Sequence, residues 1–428
     1  QEKVEYNAQL CLMNMAVHGL NGIIKSGDEA NTFYHDAHNL DGCCDYVMAN
    51  PPFNVDKVNS ESAQSAGRLP FGLPSINAKK EFGNANYLWI SYFYSYLNEH
   101  GRAGFVMASS ATDSSGKDRD IRQKLVETGH VDVMVSVGNN FFYTKSLPCS
   151  LWFFDKGKPQ ELQDKVLFID ARNYYTVVDR TLNEWSDWQL KNLNAIVWLY
   201  RGETEKYQRL LNEYIDRIKS FVSAIVDFQT GTLCTEMLPE FYQEANNKAY
   251  ALKKQVNQMR TLKHCAEIQE SLEEFLRLQK AAVAKFVPYL EENKLKSDIK
   301  QLLASRAGRG PARVSWYVKE LNGIISSHEQ SIRECVDIIR EARWLYEKFG
   351  EGEYRDIPGL CKVASRTEIA EKNYSLTPGA YVGVAAVEDD GVDFAKRMAE
   401  IHEELLTLQA ESNELMQTIS RNMKEMGL

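Results

Sequence analysis

A change of rhythm near Arg201 limits what this chain can fold into more than any other feature. Before it, short runs rich in Val, Ile and Phe alternate with amphipathic stretches. After it, Glu, Lys, Leu and Ala recur with helical period as far as Gly350. Ile23-Ile24, Tyr46 to Ala49, Gly104 to Ala108, Val131 to Val137, Leu147 to Phe154 and Val166 to Ile169 read as strands. Tyr6 to His18, Tyr87 to Asn98 and Asp118 to Thr128 read as helices, the first closed by Gly19. This alternation predicts a mostly parallel α/β sheet over residues 1–200, with antiparallel strands admitted near its end. Residues 201–350 are expected to form an all-helical domain of four or five helices, broken at Gly231, Pro239, Pro288 and Gly308-Arg309-Gly310-Pro311. A loop-rich connection is expected over 351–392. In the last stretch, 393–428, Phe394, Ile401, Leu408 and Leu415 fall seven apart, with Met398, Leu405 and Ile419 four beyond three of them. That spacing is the seam of a coiled-coil-type interaction helix.

Composition closes off several kinds of function. Fifty Lys and Arg against 59 Asp and Glu leave a formal charge of −9, so the chain has no global positive excess with which to coat a polyanion. Contact with nucleic acid must then be local or lent by a partner. Eight cysteines without a CxxC pair, Cys43-Cys44 among them, fit neither a zinc pattern nor an extracellular disulfide framework, and read as reduced thiols in a cytoplasm. His18, His35, His38 and His130 lack ligand spacing, so no metal is expected. Arg306, Arg309 and Arg313 have two readings, a phosphate grip or a solvated loop, and the acidic balance favours the loop. No run approaches the roughly 18 apolar residues of a membrane span, and the start lacks the order of a signal peptide. The opening at Gln1, without Met, suggests that an N-terminal portion precedes these residues.

The motif that carries chemistry is Asn50-Pro51-Pro52-Phe53, which follows Asp45 and the apolar run Tyr46-Val47-Met48-Ala49. Ligands of open α/β sheets sit at the carboxyl ends of strands, where this motif is expected. The two prolines fix φ and remove two backbone donors, and Asn50 is held extended by the proline after it, so the loop is rigid and presents acceptors. An exocyclic amino group conjugated to an aromatic ring is a poor nucleophile because its lone pair is delocalised. A catalyst must receive both N–H groups and turn that lone pair outward, which an Asn side-chain oxygen and a neighbouring carbonyl can do. Phe53 would offer a face for the flat base. A proline-rich turn with Phe53 as plain core does not require the Asn and both prolines together.

On these residues the sequence resembles the DNA adenine N6 methyltransferases, and specifically the methylation subunits of type I restriction-modification systems. The resemblance runs through Leu12-Met13-Asn14-Met15-Ala16-Val17-His18-Gly19, Asp45 to Asn54, Asn84-Ala85-Asn86-Tyr87-Leu88-Trp89 and Gly101-Arg102-Ala103-Gly104-Phe105-Val106. Asn373-Tyr374-Ser375-Leu376-Thr377-Pro378-Gly379, followed by Tyr381-Val382-Gly383, is similar to a distal signature of this subunit type. Ala380 departs from it, since the family usually has Arg there. The resemblance implies a Rossmann-like methyltransferase sheet, incomplete at its N-terminal side because the first strand and the glycine-rich cofactor loop would precede Glu2.

The implied reaction is methyl transfer from S-adenosylmethionine to N6 of adenine in duplex DNA, without a metal. The implied catalytic residues are Asn50, Pro51, Pro52 and Phe53. Glu2 would take the cofactor ribose, and Asp28 or Asn31 its adenine; spacing does not choose between the last two. Phe141, Phe142 and Tyr143, together with Phe53, would stack the flipped base, with ordinary core aromatics as the plainer reading. Implied partners are DNA, a specificity subunit held by the C-terminal helix, a restriction subunit and a second methylation subunit, with no membrane. Without its cofactor loop, the chain alone is expected to bind S-adenosylmethionine weakly and to be inactive. Two alternatives stand beside this reading. One is a protein-glutamine N5 methyltransferase, against which the long helical region and the terminal heptads argue; the other is a non-catalytic interaction fragment.

Overall fold

The computed structural model describes residues 1–231, 239–293, 296, 300, 314–384 and, beyond these, 398, 401, 402, 405, 406, 408, 409, 412, 413, 415 and 416. The chain divides into two units, Gln1–Gly383 and Val384–Leu428. The first contains every sheet described below. It opens with α1 (Glu5–Val17), β1 (Cys44–Ala49), β2 (Val58–Asn59), α2 (Ser60–Ser65), β3 (Glu81–Phe82), α3 (Asn86–Ser95), β4 (Leu97–Ala108), α4 (Lys117–Glu127) and β5 (Val131–Val137). It continues with β6 (Cys149–Asp155), β7 (Lys165–Asp170), β8 (Thr176–Val177), β9 (Asn183–Glu184) and α5 (Asp187–Tyr200). Four long helices follow, α6 (Thr204–Gly231), α7 (Pro239–Gln258), α8 (Cys265–Asn293) and α9 (Val314–Phe349), and then β10 (Cys361–Ser365) and α10 (Arg366–Glu371).

Six strands form the main sheet in the order β1-β4-β6-β5-β7-β10. The expectation of a mostly parallel sheet is corrected to a mixed one. β1 with β4 and β5 with β7 are parallel, while β4 with β6, β5 with β6 and β7 with β10 are antiparallel. β6 returns from β5 through the 138–148 loop and inserts between β4 and β5, which reverses its direction against both. The reading that strands stop after Arg201 is also corrected. Cys361 to Ser365 add the sixth strand to β7, so part of the segment expected as a connecting loop belongs to the sheet. Ile23-Ile24 forms no strand. Ile23 is exposed, and the neighbouring order is a single parallel bridge between Glu2 and Ser26.

One face of the sheet packs on α3, α4 and the 369–382 segment. Phe105, Met134, Trp152, Phe154 and Phe168 are buried there against Tyr87, Leu88, Ile121, Leu125, Ile369, Leu376 and Tyr381. α3 is apolar all round and buried from Asn86 to Tyr94, as expected of a helix enclosed in a core. On the other face Val133, Val135, Leu167 and Ile169 share one continuous core with α5, α6, α7, α8 and α9. α5 starts at a capping box in which Ser186 Oγ accepts from Gln189 N–H and Gln189 Oε1 accepts from Ser186 N–H. Pro288 does not break its helix. α8 runs through it with Phe286 and Leu290 fully buried beside Tyr242, and burial of that order offsets the roughly 3 kcal/mol that an interior proline costs. The Gly308 to Pro311 break lies outside the described residues, as do Arg306, Arg309 and Arg313.

In the second unit, residues 398, 401, 402, 405, 406, 408, 409, 412, 413, 415 and 416 are helical. Met398, Ile401, Leu405, Leu408 and Leu415 are exposed along it, whereas Phe394 and Ile419 lie outside the described residues. Among the described residues no helix is long and apolar enough to cross a membrane. The seven described cysteines are free thiols.

Candidate active site

Asn50 follows β1 directly and is exposed at its carboxyl end, where the chain leaves the sheet. Pro51 is buried, Pro52 exposed and Phe53 half-buried, so the motif anchors through alternate residues and leaves Asn50 accessible. The loop is then tied down by amides. Asn54 adopts the left-handed region at φ 55°, which Asn tolerates better than most residues. Its N–H donates to Asn86 Oδ1 at 2.9 Å, and its Oδ1 accepts from both Asn84 Nδ2 and Asn86 Nδ2, each at 2.9 Å. Asn86 is buried at the start of α3, and Ala85 N–H donates to Val55 O at 2.9 Å. The loop that carries the exposed Asn50 is therefore fixed to the most buried helix of the domain. Sequence reading quoted these asparagines without giving them a role. The signal was present as Asn-Ala-Asn immediately before an all-apolar helix, where polar side chains become buried and need partners.

The three aromatics of the 139–146 segment separate. Phe142 lies edge-on to Phe53, centroids 6.4 Å apart at 76°. Phe141 turns away onto Trp185 and Tyr175. Tyr143 is 90% exposed. The loop bends at Asn140, φ 64°, and Asn183 holds it by donating N–H to Asn140 O and Nδ2 to Asn139 O. Phe53 and Phe142 thus meet, while Tyr143 stands free at the tip.

The backbone brings Ser26 to Glu2, and Asp28 and Asn31 close the turn that follows, Asn31 N–H donating to Asp28 O at 3.1 Å. Glu2 pairs with Ser26, its N–H donating to Lys25 O at 3.0 Å, and its Oε1 accepts from Val4 N–H at 2.8 Å at the start of α1. Asp28 is exposed, 3.8 Å from Lys3 Nζ. Asn31 Oδ1 accepts from Phe33 N–H. The segment that follows is tied toward the motif: Tyr92 donates its hydroxyl to Phe33 O, and Tyr34 Oη accepts from Asn59 N–H.

β1 itself is the edge of the sheet. Tyr46 and Met48 are 79% and 93% exposed, and they border an apolar groove of ≈640 Å³ that continues over Gly104, Val106, Leu151 and Phe153.

The sequence pattern of the N-6 DNA methylases matches residues 1–219, just over half of the 428. This chain belongs to the N-6 DNA methylase family. The N-6 DNA methylase chain described here is 36% identical over 186 residues to the type I restriction enzyme MjaIX methylase subunit of Methanocaldococcus jannaschii, covering 43% of this chain and 32% of that one. It is 28% identical over 179 residues to the HindI methylase subunit of Haemophilus influenzae, covering 42% and 38%. The match therefore spans about a third of these relatives' length. A solved type I methyltransferase subunit from Streptococcus thermophilus is 21% identical over 46% of this chain and 40% of that chain, with a TM-score of 0.40. Membership in the N-6 DNA methylase family does not favour the protein-glutamine alternative.

Proposed function

We propose that this chain is the catalytic and assembly portion of a type I methylation subunit, transferring a methyl group to N6 of adenine in duplex DNA. The observation that carries the reading is Asn50, exposed at the end of β1 on a loop that two prolines and three asparagines immobilise, with Phe53 and Phe142 side by side. S-adenosylmethionine supplies an electrophilic methyl on a sulfonium that is already a good leaving group, so this chain's contribution is alignment. Asn50 Oδ1 and a carbonyl of the Pro51-Pro52 segment accept the two N–H groups of the adenine amine and hold its lone pair outward. Phe53 gives the extrahelical base a face, with Phe142 behind it. The N6 lone pair forms the new C–N bond as the methyl's bond to sulfur breaks, that electron pair remaining on sulfur, and the displaced N–H proton passes from N6 to water.

Glu2 at the Glu2–Ser26 bridge, with Asp28 and Asn31 two and five residues past Ser26, offers side-chain acceptors of the kind that the hydroxyls and amino group of a nucleoside require. Glu2 is assigned to the ribose, and Asp28 or Asn31 to the adenine. The bare edge of β1 is where a further strand, carrying the glycine-rich loop, joins in a longer subunit, so this chain alone binds the donor weakly and methylates nothing. The relatives' greater length supports that assignment.

DNA reading is left to a specificity subunit, held through the exposed stripe of Ile401, Leu405 and Leu408. A second methylation subunit and a restriction subunit complete the cytoplasmic assembly. Ile401→Asp with Leu408→Asp should abolish co-purification with the specificity subunit and leave the melting of the first unit unchanged; unchanged co-purification contradicts the docking assignment. The enzymatic test is mass-spectrometric detection of N6-methyladenine formed on unmethylated DNA by the assembled enzyme. Loss of product by orders of magnitude in Asn50→Ala, with donor affinity retained, is the expected result.

A further inference from the structure

We infer that Arg122 is a positioning residue, one that ties the Asn50 loop to the 374–382 segment more than 250 residues away in sequence. It rests on the proposed reading of Asn50. Arg122 lies on α4 and is 1% exposed, and the described carboxylate paired with it, Asp113, stands 4.0 Å away and is itself exposed. A buried guanidinium with so weak a counter-charge is costly unless most of its five N–H donors are taken up in fixed directions.

They are. Nη1 donates to Tyr87 Oη at 2.8 Å and to Ser114 O at 2.9 Å, and Nε donates to Tyr374 O. Tyr87 passes the tie on by donating its hydroxyl to Ala111 O at 2.6 Å, and burial holds that hydroxyl protonated by pushing it up to about 12. Tyr87 is the residue after Asn86, whose amide locks Asn54, four residues beyond Asn50. On the distal side Leu376 N–H donates to Thr112 O at 2.8 Å, the Thr112 and Thr377 hydroxyls are 2.7 Å apart, and Tyr381 stacks on Phe168 at 3.9 Å. One side chain therefore bonds α3 at the root of the catalytic loop, the turn after β4 beside it, and the segment that ends the first unit at Gly383. Only a planar fork reaches all three partners; a lysine presents one ammonium and must abandon at least one of them.

The consequence is that the distal segment sets the seating of α3, and through Asn86 the position of Asn50. Arg122→Lys and Tyr87→Phe test this in two readouts. Hydrogen exchange on the chain alone should quicken in both variants at residues 50–56 and 374–382 together, while β5 stays protected. In the assembled enzyme kcat for methyl transfer should fall roughly 10- to 100-fold, with KM for DNA unchanged, as expected for a small misplacement remote from the chemistry. Tyr87→Phe keeps the core volume and guards against a variant that simply unfolds. Faster exchange confined to 374–382, or an unchanged kcat in both variants, overturns the inference. An assembled wild-type enzyme without methyl transfer would instead overturn the proposed function and leave the exchange result standing.

Discussion

β5 and β1 are strands of one sheet with similar apolar sequences, Val-Asp-Val-Met-Val and Tyr-Val-Met-Ala, yet their surroundings differ sharply. β5 is buried at every position except Ser136, between α4 with the distal segment on one face and α5 with the helical region on the other. β1 has one strand neighbour, and its Tyr46 and Met48 face outward. Rigidity has a different source in each half. In the β5 half it comes from close packing. At β1, where packing is thin, the Asn50 loop is stiffened by proline and by amide hydrogen bonds to α3, which need no cover from above.

Trp152→Ala, deep in the packed half, should produce the largest loss: about 3–5 kcal/mol in urea unfolding, against which a loss near zero would break the comparison. A pH series sharpens it next. Burial pushes the thiol of Cys149 up to about 11 and those of Cys265, Cys335 and Cys361 up to about 12. These values lie above the ordinary thiol value of 9.0, so the stability the thiols contribute is full below pH 9.0 and drains as pH rises through 11 and 12. Urea midpoints should therefore fall across that window, and Cys149→Ala should flatten its lower part. Asn86→Ala should cost about 1–3 kcal/mol, because it removes both hydrogen bonds between Asn86 and Asn54 and leaves only Asn84 Nδ2 on Asn54 Oδ1. Met48→Ala should change unfolding by no more than about 0.5 kcal/mol; a loss like that of Trp152→Ala would show that β1 is packed after all.

Much of the first half was legible because its strands are β-branched runs and its helices carry closing signals such as Gly19, which sits at φ 66°. The family motif gave Asn50 and Phe53, and the pairing of Phe53 with Phe142 was within reach of the aromatic run at 141–143. Strand order was not legible. β6 is seated by β4 as well as by the adjacent β5, β10 is seated by a strand far away in sequence, and no local pattern in Cys361 to Ser365 announces that β7 lies beside it. Arg122 was hidden for a similar reason. An arginine in a charged helix looks solvated until the fold brings Tyr87 and Tyr374 to it. Phe141, Phe142 and Tyr143 read alike in sequence, and only Trp185 and Tyr175, more than 30 residues on, pull Phe141 away from the others.

The central claim is that Asn50 receives the adenine amine. Its most direct test is a map of N6-methyladenine in genomic DNA from cells carrying the complete system, with wild-type or Asn50→Ala protein. The account predicts a methylated sequence motif with the wild-type protein that vanishes with Asn50→Ala while the protein remains folded and assembled. A motif methylated equally by both would contradict it.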